Sequence, residues 1–166
     1  MLPWPWALLV DVLVVAAWSV AVGWWMARRP LDHLTGHGWL LRLRPWEGGG
    51  QWYERRLGVR RWKDRLPEAG TWFGGLSKRR LPSGADGGLG RFRAECVRAE
   101  LTHWLAVALL PVLFVWSPWW LAASLLAGGV AANLPCIVVP RFNRARLDAL
   151  RPGRTGQRRS PHLTGP

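Results

Sequence analysis

Glu100 and His103 stand three residues apart, a spacing that puts both side chains on one face of a helix. A carboxylate beside an imidazole can orient the ring and raise its basicity, as a general base acting on a hydroxyl requires. The plainer reading is a polar pair at a helix start. Asn133 precedes Pro140 by seven positions, so at about 1.5 Å per residue it sits roughly 10 Å inside the apolar run that ends there. An amide in hydrocarbon needs partners. It either ties two helices together or donates to a substrate carbonyl, where it would stabilise a tetrahedral oxyanion. Pro135 removes a backbone hydrogen bond and is expected to open the helix for such contact. Arg141, Asn143, Arg144 and Arg146 follow directly. These arginines serve either as anchors at a membrane face or, with Lys63 and Trp62, as a clamp for a phosphate or carboxylate of a substrate. No metal or cofactor is expected. The Glu100-x-x-His103 spacing occurs once, whereas carboxylate di-metal bundles repeat it, and Cys96 and Cys136 lack clustered histidines.

These residues bracket a stretch that dictates the architecture. No Asp, Glu, Lys or Arg lies between Leu101 and Pro140, and Asp11 is the sole such residue before Arg28. The 23 Lys and Arg fall in two blocks, one between Arg28 and Arg98 and one between Arg141 and Arg159. That is a partition between membrane and water. A spanning helix needs ~20 apolar residues, and residues 4–26 and 119–139 meet this. Residues 99–116 do so only if their helix begins near Ala99 or earlier. The reading is an all-α integral membrane protein with about three transmembrane helices. The first run lacks a positive segment ahead of it and is followed by Arg28-Arg29, so it reads as a retained anchor rather than a secretory signal.

Basic loops favour the cytoplasm, which predicts the N-terminus outside and the C-terminus inside a cell membrane. Trp4, Trp6, Trp116, Trp119 and Trp120 would sit at the outer interface, and Trp24, Trp25 and Trp104 at the inner one. Trp18 falls mid-membrane as a packing residue, and Asp11 is assigned a structural role facing other helices. Both cysteines lie toward a reducing compartment, so no disulfide is expected. The net charge of +13 tracks the membrane face, where anionic lipid accounts for it, and no nucleic-acid partner is expected.

Residues 1–151 read as one membrane domain with a basic segment over 28–98. Within it, Glu47-Gly48-Gly49-Gly50 is a flexible break. Residues 51–66 form a basic amphipathic helix lying among headgroups, with Tyr53, Leu57, Trp62 and Leu66 on its apolar side and Pro67 ending it. Residues 69–90 are rich in Gly and polar side chains and include the run Lys78-Arg79-Arg80. Residues 152–166 form a disordered basic tail.

Three stretches carry a family resemblance: Arg98-Ala99-Glu100-Leu101-Thr102-His103-Trp104, the run from Asn133-Leu134-Pro135 through Arg141-Phe142-Asn143-Arg144-Ala145-Arg146-Leu147, and Arg61-Trp62-Lys63-Asp64-Arg65-Leu66-Pro67. Together they resemble the glycosyl-4,4'-diaponeurosporenoate acyltransferase family, over about residues 52–147. Pro140 stands where the family has Gln, and Phe142 where it has Tyr, which argues against a catalytic phenol there. The resemblance implies an O-acyltransferase that moves a fatty acyl group from an activated donor such as acyl-CoA to a hydroxyl of a glycosylated carotenoid or other glycolipid. The partners would be membrane lipid, the acyl donor and the glycosylated acceptor. The resemblance carries over no catalytic residue; on chemistry alone His103 would be the base, oriented by Glu100, with Asn133 at the oxyanion. The alternative is a non-catalytic membrane subunit that recruits a lipid or carotenoid enzyme, with the same polar cluster as interhelical glue.

Overall fold

The structure, a computed structural model, describes residues 2–66 and 88–150. The Lys78-Arg79-Arg80 run, Pro67 and the 152–166 tail lie outside the described residues. The described residues are helical, and three helices are long and apolar enough to cross a membrane.

Helix α1 (Trp4–Ala27) starts with Pro5 in its first turn, where a missing N–H costs nothing. It stops where Arg28 and Arg29 fold back over the faces of Trp24 and Trp25, at 3.6 and 4.1 Å. Two short helices follow in the basic segment, α2 (Gln51–Leu57) and α3 (Val59–Trp62). The expected continuous helix over 51–66 is thus broken. Gly58 sits between the pieces at φ +55° and ends the first turn in the left-handed conformation.

Helix α4 (Gly88–Leu109) and helix α5 (Trp119–Leu150) form the antiparallel hairpin. Pro111 lacks the N–H that α-helical pairing needs, and the end of α4 tightens into a 3-10 stretch, Leu110–Val115. A turn at Ser117-Pro118 starts α5, whose Leu121 and Ala122 N–H groups donate to the Pro118 carbonyl. At this turn end Leu110, Leu113 and Ala122 form a core cluster, with Val15 of α1 packed against it. Gly129 permits the close approach: a Cβ there would lie 2.6 Å from Leu110.

The helix of the third span is longer than the apolar run of residues 119–139. Helix α5 does not stop near Val139 or open at Pro135; it continues through Pro135 and Pro140 for 32 residues. At about 1.5 Å per residue that is ~48 Å, against ~30 Å for a hydrocarbon core. One end must stand in water, and it is the end that carries Arg141, Arg144 and Arg146. The first turns of α4 accompany it: Phe92 and Cys96 pack on Leu147, and Arg93 pairs with Asp148 at 2.8 Å.

Asp11 serves structure, as expected. It is fully buried and accepts from Trp116 Nε1 at 2.7 Å and from the Ser117 hydroxyl at 2.8 Å, tying α1 to the turn. Trp18 also joins α1 to the hairpin, donating to the Leu105 carbonyl at 2.9 Å.

Candidate active site

At the basic end of the hairpin four charged side chains form one array. Glu100 on α4 and Arg144 on α5 are both fully buried. Arg144 donates to one Glu100 oxygen, and Arg141 Nη1 donates to the other at 2.7 Å. Arg141 Nη2 continues to Glu47 Oε1 at 2.9 Å. Glu47, itself buried, also accepts the Tyr53 hydroxyl at 2.9 Å and the Arg44 backbone N–H at 2.7 Å. Arg141 and Arg144 also donate to the carbonyls of Leu40, Leu41 and Arg42 at 2.6 to 2.9 Å. Two carboxylates thus balance two guanidiniums, the condition under which such charges can be taken out of water. Burial and the neighbouring carboxylate push the Tyr53 phenol above its ordinary pKa, so it stays protonated and donates.

The segment between residues 39 and 50 therefore acts as a strap across the hairpin. Its glycines are not a flexible break. Gly48, Gly49 and Gly50 all hold positive φ, and a Cβ on Gly50 would meet Arg146 at 2.8 Å and Phe142 at 3.1 Å. The turn they make aims Glu47 at Arg141. Behind it Tyr53, Val59, Val139 and Phe142 form a core, with Trp62, Leu66 and Val138 against it.

One turn along α4 from Glu100, His103 Nδ1 lies 2.8 Å from Asn133 Oδ1. Asn133 Nδ2 donates to the Gly129 carbonyl at 2.8 Å. That carbonyl can only accept, which settles which end of the amide faces the imidazole. The amide oxygen also only accepts, so in the neutral ring Nδ1 carries the proton and Nε2 is the basic nitrogen. Both residues are half-buried.

A model of the glycosyl-4,4'-diaponeurosporenoate acyltransferase family matches residues 37–152. The chain belongs to this family. The matched stretch holds the strap, the buried array and the His103–Asn133 pair, and leaves α1 outside. The glycosyl-4,4'-diaponeurosporenoate acyltransferase of Staphylococcus haemolyticus (strain JCSC1435) is 29% identical over 124 residues, covering 74% of this chain and 72% of the relative. No solved structure matches. Membership indicates an acyltransferase of the type that name describes.

The geometry of this acyltransferase redistributes the roles expected of its residues. Glu100 shares a face with His103, yet its two oxygens accept from Arg141 and Arg144, and Asn133 is what meets the imidazole at Nδ1. Charge-assisted bonds from two guanidiniums outweigh one from a neutral ring. The phosphate-clamp expectation fails for the same reason: Arg144 has no exposed surface, and Arg141 serves Glu100 and Glu47. Asn133 takes the helix-tying alternative with its oxygen. Lys63 lies 3.3 Å from Asp64, Trp62 Nε1 donates to the Leu57 carbonyl at 2.8 Å, and Asn143 is half-buried on α5. Sequence reasoning missed Glu47 and Tyr53. The available signal was a carboxylate directly ahead of three glycines in a basic segment.

Proposed function

We propose that this acyltransferase moves a fatty acyl group from an activated donor of the acyl-CoA kind to a hydroxyl of a glycosylated carotenoid or other glycolipid, at the cytoplasmic face of the cell membrane. The observation that carries this reading is the His103–Asn133 pair, set between two apolar helices one turn from a buried ionic array. A lipid acceptor needs a base at a membrane edge, and a base needs a fixed tautomer.

His103 Nε2 takes the acceptor proton as the oxygen attacks the thioester carbonyl. The second N–H of Asn133 Nδ2 stabilises the oxyanion. The C–S bond then breaks, and the thiolate leaves with the proton from the imidazolium, releasing ester and thiol. Glu100 is a positioning residue. Through Arg141 and Arg144 it locks α5 against α4 and the strap, which keeps Asn133 opposite His103. Lys63, Trp62 and Asn143 are assigned to substrate contact at this edge.

The test is acyl transfer by purified protein in lipid nanodiscs, with a fatty acyl-CoA and a glycolipid acceptor. His103→Ala should lower turnover by about 10²- to 10⁴-fold, the usual contribution of a general base, at unchanged membrane levels. Asn133→Ala should fall between His103→Ala and wild type. Full activity in a well-expressed His103→Ala protein refutes the base role.

A further inference from the structure

Where α2 turns into α3 at Gly58, the surface holds a notch of about 370 Å³ whose lining includes Arg55, Arg56, Arg61, Glu54 and Trp62. The charges there are not balanced. Glu54 is engaged by Arg60, through its backbone N–H at 3.2 Å and its guanidinium at 3.9 Å, and Arg60 does not line the notch. Arg55 rests on the neutral Gln51 amide at 3.0 Å. Among the described residues, Arg55, Arg56 and Arg61 make no ion pair, whereas Arg93, Arg98, Arg141 and Arg144 all do. Three like charges gathered on one hollow repel each other unless an anion fills it.

The notch also has a defined place. Trp62 forms its wall, held by its bond to the Leu57 carbonyl, and packs on the core that contains Val139 and Phe142 of α5. Val139 is six positions from Asn133, about 9 Å along the helix axis. The notch therefore adjoins, through Trp62, the part of α5 that lies just beyond Asn133.

We propose that the Gly58 notch binds clustered phosphate anions through Arg55, Arg56 and Arg61. That chemistry is shared by the head of an acyl-CoA-type donor and by an anionic lipid headgroup. As a donor subsite it rests on the acyl-transfer reading; as a phosphate site it does not. It takes over the task that the sequence assigned to Arg141 and Arg144 together with Lys63.

The experiment compares the full chain with an Arg55→Gln/Arg56→Gln/Arg61→Gln variant. Each is placed in nanodiscs of zwitterionic lipid alone and of zwitterionic plus anionic lipid. Calorimetry with unacylated coenzyme A is the first arm, with phosphate-free pantetheine as control. The wild type should bind coenzyme A in zwitterionic discs, and the variant should bind about tenfold or more weakly, as expected for losing charge-assisted contacts. Mass spectrometry of co-purified lipid is the second arm. If only the wild type enriches phosphate-headed lipid and neither protein binds coenzyme A, the notch is a phosphate site filled by lipid. Equal coenzyme A affinity and equal lipid enrichment in both proteins overturn the proposal. Unchanged thermal unfolding shows that the variant is folded. The transferase assay is read separately. An inactive wild type that still binds coenzyme A through these arginines defeats the reaction and leaves the notch. An active variant with an unchanged KM for the donor defeats the donor role of the notch and leaves the reaction.

Discussion

Glu100 is taken wholly out of water, and it is held there by two guanidiniums at once. Removing it leaves Arg144 buried without a counter-charge, so Glu100→Ala should destabilise by about 3–5 kcal/mol. Replacing both partners with apolar side chains, Glu100→Leu with Arg144→Met, should recover most of that loss. Thermal unfolding in a fixed detergent checks it, and a double variant no more stable than Glu100→Ala sinks the account. Tyr53 makes a separate prediction. Its folded-state pKa is raised above the ordinary 10.0, so the folded form binds the proton more tightly than the unfolded chain. Stability from this group is complete below pH 10 and declines as pH rises toward the folded value. Tyr53→Phe should cost about 1 kcal/mol at neutral pH for the lost bond to Glu47 and should flatten that alkaline decline, seen as unfolding temperature against pH. The titratable groups at this scale were legible in the chain, but their pairings were not. Glu100 and His103 share a helix face by spacing. Which of them an arginine reaches depends on the register between α4 and α5 and on a strap that brings Glu47 in from over fifty residues away.

At the scale of elements, hydropathy was enough to find the three apolar helices, because no water is available to an exposed backbone in hydrocarbon. It was not enough to end them. Pro135 reads as an opening in the helix and Pro140 ends the apolar run, yet α5 runs on to Leu150, since its last turns are held from outside by the strap and by the first turns of α4. The glycines read as looseness and are the reverse. Gly50→Ala would combine φ +89° with contacts of 2.8 and 3.1 Å to Arg146 and Phe142. Gly48→Ala would meet only Gln51 at 4.0 Å and so incurs the left-handed backbone cost alone, about 1–2 kcal/mol. The first substitution should lower the unfolding temperature clearly more than the second. Equal shifts would mean that the strap does not press on α5.

For the whole molecule, two polar tethers set the ends of the bundle. Asp11 binds α1 to the Trp116-Ser117 turn, and the four-charge array binds the strap to the opposite end of the hairpin. The positive-inside argument predicts the basic end on the cytoplasmic side. With Cys96 and Cys136 replaced by Ser, single cysteines at exposed Trp119 and exposed Arg61 should report this. A membrane-impermeant maleimide should label intact cells at position 119, and at position 61 only after the membrane is broken. Labelling of intact cells at position 61 would invert the topology and overturn the proposed cytoplasmic site.

Composition and charge order by themselves determined the three apolar helices, the single basic end and the placing of Glu100, His103 and Asn133 beside it. Those features depend on the transfer of side chains and backbone out of water, a local property that each residue carries with it. Tertiary structure alone decided that Asn133 rather than Glu100 holds the imidazole, that Arg141 and Arg144 face inward, and that Glu47 arrives on a glycine turn. Those outcomes depend on distances between segments far apart in the chain, where a hydrogen bond exists or fails within a few tenths of an ångström.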